Sequence, residues 1–154
     1  MENEILGLDT DHFIYKKSHI QIATFFGGPL AIIYILAENF RLLGHPEKVK
    51  KTWIIGLILS ILFFGLIFFM QTSYKTPSLL PSLISIIIGT AIMQSWQGED
   101  IKLHIDHGGP VYPVWRALLI GVISLALSII FLVAVVVILN SAFGINFIKV
   151  PASK

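Results

Sequence analysis

The apolar positions of this chain fall in long unbroken runs instead of a two-residue or seven-residue rhythm. Four stretches, 18–37, 52–74, 76–98 and 117–148, contain no Asp, Glu, Lys or Arg and run for 20, 23, 23 and 32 residues. About 20 residues at a rise of about 1.5 Å cross a hydrocarbon core of about 30 Å, so each stretch is long enough for a membrane-spanning helix. Inside lipid every backbone N–H and C=O must be bonded within the protein, which leaves helices or closed barrels. A barrel needs segments of about ten residues alternating polar and apolar, and residues 54–70 do not alternate. The pattern therefore predicts an all-α integral membrane protein with four transmembrane helices, at about 19–38, 53–71, 77–96 and 114–140. Residues 1–17 read as an N-terminal polar tail, and 18–140 as a single four-helix transmembrane domain with polar loops at 41–52 and 97–113. Residues 141–154 read as a C-terminal tail.

Local signals set the expected boundaries. Ser18 followed by Gln21 has capping-box spacing, Gly44 suits a left-handed helix end, and Pro46 suits the first turn of the next helix. Thr76 and Pro77 read as the cap and first turn of the third helix, and Gly98 is expected to weaken it just past Trp96. Gly108, Gly109, Pro110 and Pro113 punctuate the way into the fourth. Phe143, Ile145, Phe147 and Ile148 are expected at the membrane interface.

Composition sharpens the class. Charged residues make up 13% of the chain and apolar ones 55%, against about 25% and about 45–50% in soluble domains. This excludes a water-soluble globule and a disordered chain, and the absence of Cys excludes a disulfide scaffold. A net charge of +2 gives no footprint for nucleic acid. Glu2, Glu4, Asp9 and Asp11 precede the first apolar run where a signal peptide would be basic, so no cleaved leader is expected. With four spans, Lys16, Lys17, Lys75, Lys149 and Lys154 share one side, and Arg41, Lys48, Lys50, Lys51, Lys102 and Arg116 the other. The near balance leaves orientation to local density. The cations of 41–51 favour cytoplasmic loops at 41–52 and 97–113, and Trp53, Trp96 and Trp115 then fall at the boundary on that side, which supports the span limits.

Candidate chemistry is confined by the same distribution. Gly27, Gly28 and Pro29 sit midway along the first apolar run, with Thr24 close by in sequence. A proline there removes a helix hydrogen bond, and broken helices at mid-membrane expose backbone groups that transporters use for substrates and ions. The structural alternative is a kink in which the Thr24 hydroxyl bonds a carbonyl freed by Pro29. The four runs hold no Asp, Glu, Lys, Arg or His other than His19, which counts against proton-coupled transport through a buried carboxylate. Outside them, Asp100, His104 and His107 fall on one face if the helix continues, and His45 could join them around Zn²⁺ or another divalent ion. A solvated amphipathic segment is the alternative. No protease, hydrolase or P-loop motif is present, and no cofactor is expected. Small residues four apart (Ala117 and Gly121, Ser124 and Ser128, Gly56 and Ser60, Ser85 and Gly89) predict close helix packing, within the chain or between copies. Glu38 and Arg41 read as a boundary ion pair, and Lys48 to Lys51 as a contact with anionic headgroups.

The run from Gln21 to Ala31, with Thr24, Gly27, Gly28 and Pro29 inside it and Asn39 and Gly44 beyond, resembles a group of small uncharacterised bacterial inner-membrane proteins with an ATFxGGPLA-type first segment. Gln94 and Gln97 at the end of the third run are similar as well. The resemblance implies a bacterial cytoplasmic membrane and carries no activity. The sequence thus reads as a multi-pass membrane protein that is not an enzyme. It would act as a structural or accessory protein through helix packing, with the lipid bilayer, a second copy or another membrane protein as partner. A small transporter or channel component using the Gly27 to Pro29 break is the alternative, and a metal-dependent membrane enzyme the third reading.

Overall fold

Four helices follow one another in the computed structural model, which describes residues 12–73 and 79–143, without the side chains of 68–73, 139, 142 and 143. They are α1 (Lys17–Leu42), α2 (Pro46–Ser73), α3 (Leu80–Asp106) and α4 (Val114–Phe143). The expected third-helix start at Thr76 and Pro77 and the interfacial tail beyond Phe143 lie outside the described residues. By length and composition, Lys17–Leu42, Pro46–Ile67 and Val114–Ile138 are long and apolar enough to cross a membrane. The 27-residue α3 is diluted by Gln94, Gln97 and the charged turns after them.

The path of α1 departs from a single span over 19–38 kinked at Gly27 to Pro29. Gly28 has φ 59° and ψ −147°, and Pro29 follows it, so α1 is two arms, 17–27 and 29–42. The Tyr15 N–H donates to Asn39 Oδ1 at 2.8 Å, and Asn39 Nδ2 donates to the Tyr15 carbonyl at 2.7 Å. Twenty-four residues of continuous helix would hold those positions about 36 Å apart. The arms are therefore folded back on each other, and both ends of α1 lie at the same end of the bundle. Hydropathy could not distinguish this from a kinked span, because both arms are equally apolar.

Direction follows from the contacts. The first arm runs parallel to α4: Ala23 lies under Gly121, and a Cβ added at Gly27 would stand 2.6 Å from the Cβ of Ser124. The second arm runs parallel to α3, with Ile32 against Gly89 and the Leu36 carbonyl bonded to Gln97, and antiparallel to α2, with Ile33 against Gly56. All four expected small-residue pairs thus face α1. Among the described residues α1 packs on each of the other helices, while α2, α3 and α4 make almost no contact with one another. The core follows suit, with Ile20, Ala23, Ala31, Ile32, Ile35 and Leu36 all coming from α1. Outward-facing side chains such as Leu62, Ile87, Ile130 and Ile138 are more than half exposed, as lipid-facing positions would be.

Boundaries shift at two places, in the first and third helices. The N-cap of α1 is Lys16 instead of Ser18: its backbone N–H donates to His19 Nδ1 at 3.0 Å, so His19 takes the reciprocal role expected of Gln21. The second helix starts at Pro46, as its first-turn proline predicts, so the polar stretch 46–52 is the helical approach to the span, and Gly44, at φ 79°, closes the preceding turn. The third continues to Asp106, so only 107–113 remains loop. A glycine inside a helix costs only about 1 kcal/mol, and continuation past Gly98 buries Ile101 and His104.

Candidate functional site

The reversal creates two places where polar groups meet an apolar interior, one at the turn and one where the arms end. At the turn, Gly27 sits against the backbone of Gly121 and cannot carry a side chain without displacing α4. Gly28 is open on its side-chain face, with no atom within 4 Å of an added Cβ. A cavity of about 150 Å³ surrounds it, lined among others by Phe26, Pro29, Phe63, Pro81, Ser85 and Ser128. Thr24 is fully buried, and among the described residues its hydroxyl has no hydrogen-bond partner. The expected bond from Thr24 to a carbonyl released by Pro29 is therefore not formed, because the break reverses the chain instead of bending it. Among the described residues no ionisable group lies on this lining, which suits a neutral or apolar group.

At the arm ends a buried amide clamp joins three segments. Asn39 holds both backbone groups of Tyr15 and also donates to Gln97 Oε1 at 3.3 Å, while Gln97 Nε2 donates to the Leu36 carbonyl at 2.8 Å. Asn39 is fully buried and Gln97 nearly so. The segment before α1 continues into a parallel bridge between Ile14 and Val111: the Ile14 N–H donates to the Pro110 carbonyl, and the Tyr112 N–H to the Ile14 carbonyl. The Tyr15 ring lies 4.4 Å from that of Tyr112, tilted by 35°, and Arg116 lies 4.1 Å over the Tyr112 ring. The sequence flagged Asn39 and Gln97 only through the resemblance. The available signal was an amide just inside the polar edge of each of two apolar runs, where an unpaired amide would be unfavourable.

Burial pushes the Tyr15 phenol up to about 12, against an ordinary value of 10.0, with Arg116 pulling the other way. A raised acid pKa favours the neutral form in the fold. Its contribution is complete below pH 10 and is lost as pH rises toward 12. The buried Tyr15 hydroxyl has no partner among the described residues. Tyr15→Phe is accordingly expected to leave stability at pH 7 within about 1 kcal/mol and to flatten the loss of stability above pH 10. Melting temperatures across pH 7 to 11 check this; a steep alkaline loss that survives in the variant would contradict it.

The histidine-rich segment does not assemble as a ligand set. His45 Nε2 lies 3.3 Å from Asp100 Oδ2, bringing two of the four expected residues together. His104 turns inward, 3% exposed, with Nε2 at 3.2 Å from the Pro110 carbonyl, and His107 Nδ1 lies 2.8 Å from the Leu103 carbonyl. Among the described residues no three His, Asp or Glu gather as a metal-binding group. Asp100, His104 and His107 do not present one face: His104 is buried against the 107–113 loop, and His107 is exposed just past the helix end. Arg41 and Glu38 form the expected pair, at 2.6 Å.

No protein-family model matches the chain, and neither the curated proteins nor the solved structures provide a match.

Proposed function

We propose that this chain is a multi-pass protein of a bacterial cytoplasmic membrane that acts as a structural or accessory protein, through helix packing and not through catalysis. On this reading α2, α3 and α4 cross the bilayer, and α1 is a re-entrant hairpin that enters and leaves on one face. The observation that carries it is the position of α1: the axis along which a conduit would run is filled by the hairpin, closed at Gly27 against Gly121. Purified protein in sealed vesicles is then expected to add no flux of protons, ions or small neutral solutes over empty vesicles. A protein-dependent flux that Pro29→Ala removes would replace this reading with the second one, a transporter or channel component working at the break. That alternative draws its support from the unpartnered Thr24 hydroxyl beside the turn.

The re-entrant path also changes the charge count behind the orientation. Lys16 and Lys17 join Arg41, Lys48, Lys50, Lys51, Lys102 and Arg116 at one face, which makes eight cations. The chain beyond the far ends of α2 and α4 carries three, Lys75, Lys149 and Lys154. Eight against three supports a cytoplasmic face for the loop-bearing end. The chain has no native Cys, so single cysteines report cleanly. His12→Cys and His107→Cys should react with an impermeant maleimide from the cytoplasmic side, and Ser141→Cys only from the other. Labelling of residues 12 and 107 from opposite sides would return α1 to a full span.

A further inference from the structure

Between the second arm of α1 and the helices α2 and α3 lies a cleft of about 180 Å³. It opens sideways, because α2 and α3 make almost no contact with each other. Its walls include Ile33, Ile55, Leu59, Phe63, Ile88 and Ile92, and Pro29 lies at its deep end. Two of its polar members are turned onto their own helices: the Thr52 hydroxyl donates to the Lys48 carbonyl at 2.9 Å, and the Ser85 hydroxyl to the Pro81 carbonyl at 2.8 Å. A second hollow shares Thr52, Ile55 and Trp96 with the cleft and extends it to Phe40, Lys48 and Lys51.

Length and charge together select an occupant. Thr52 to Phe63 on α2 and Ser85 to Trp96 on α3 each rise about 16 Å, the depth of one leaflet of a hydrocarbon core about 30 Å thick. At the upper end Lys48 is held 5.3 Å over the Phe40 ring, and Lys51 is exposed beside it. The nearby acids face His45, with Asp100 at 3.3 Å and Glu47 at 3.7 Å from its ring nitrogens. We propose that the cleft binds one anionic glycerophospholipid, with an acyl chain along the shaft and its phosphate at Lys48 and Lys51. The site rests on the membrane placement proposed above.

Trp96 lines both hollows and reports occupancy. In a Trp53→Phe/Trp115→Phe background, the protein is reconstituted into phosphatidylcholine vesicles with a small fixed fraction of phosphatidylglycerol brominated in the acyl chain. Quenching of Trp96 should far exceed that lipid's share of the bilayer, and brominated phosphatidylcholine at the same fraction should quench only in proportion. Each lysine near an anionic surface is worth about a fivefold change in affinity, so Lys48→Gln/Lys51→Gln should weaken the preference about thirtyfold. Ile88→Phe, which fills the shaft from its lipid side, should abolish it. Proportional quenching by both lipids would overturn the site while leaving the membrane placement standing. A preference that survives in Lys48→Gln/Lys51→Gln would overturn the headgroup assignment, and no quenching by either lipid would overturn the placement and the site together.

Discussion

Gly28→Val is expected to destabilise the protein by about 3 kcal/mol or more, although a Cβ added there would meet no neighbouring atom within 4 Å. A clash at the Cβ is therefore not the cause. The cause is the backbone: φ 59° with ψ −147° lies close to a region only glycine occupies freely, and a β-branched residue suffers most there. Gly28→Ala should fall between, at about 2 kcal/mol. Gly98→Ala provides the control, since Gly98 lies inside α3 with nothing within 4 Å of an added Cβ. That change should be neutral or stabilise by up to about 1 kcal/mol. Melting in a mild detergent measures all three, and equal behaviour of Gly28→Val and Gly98→Ala would disprove the role given to the turn.

Asn39→Ala attacks the same reversal from its other end, with an expected loss of about 3 to 5 kcal/mol. Each buried backbone group left without a partner costs about 1 to 3 kcal/mol, and this change strands both the N–H and the carbonyl of Tyr15. The Gln97 Oε1 loses its donor too. Asn39→Asp is a finer probe: its carboxylate still accepts from the Tyr15 N–H but cannot donate to the Tyr15 carbonyl. Hydrogen exchange at the Tyr15 amide should accelerate strongly in Asn39→Ala and much less in Asn39→Asp. If the amide exchanges at the wild-type rate in Asn39→Ala, the clamp is not what holds the arms together.

The sequence made the helices plain because charge-free runs and glycine or proline punctuation act locally. Gly44, Pro46 and the 108–113 cluster mark ends that the structure observes within a residue or two. The angle at Gly28 was not legible. Gly27, Gly28 and Pro29 announce a break, but whether it bends or reverses is decided by Asn39 reaching Tyr15, a pair 24 positions apart. The persistence of α3 past Gly98 was hidden for a similar reason, since Gln97 and His104 are anchored by the distant Leu36 carbonyl and by the 107–113 loop. At the candidate site, the turn residues were identifiable and the amide clamp was not. An apolar run shows where a polar side chain is exceptional without saying which partner satisfies it.

The order in which the pieces leave the ribosome gives the hairpin a consequence for biogenesis. Ile14 is paired with Val111, 97 positions later in the chain, and at about 5 to 20 residues per second that partner emerges about 5 to 20 s after it. During that interval the first arm has no α4 to pack on, and α1 as a whole, 26 residues long and apolar enough to cross a membrane, invites the insertion machinery to thread it across. On the re-entrant placement proposed above, the finished topology depends on the last helix recovering the first, so truncation within α4 should trap the amino terminus on the opposite face of the membrane.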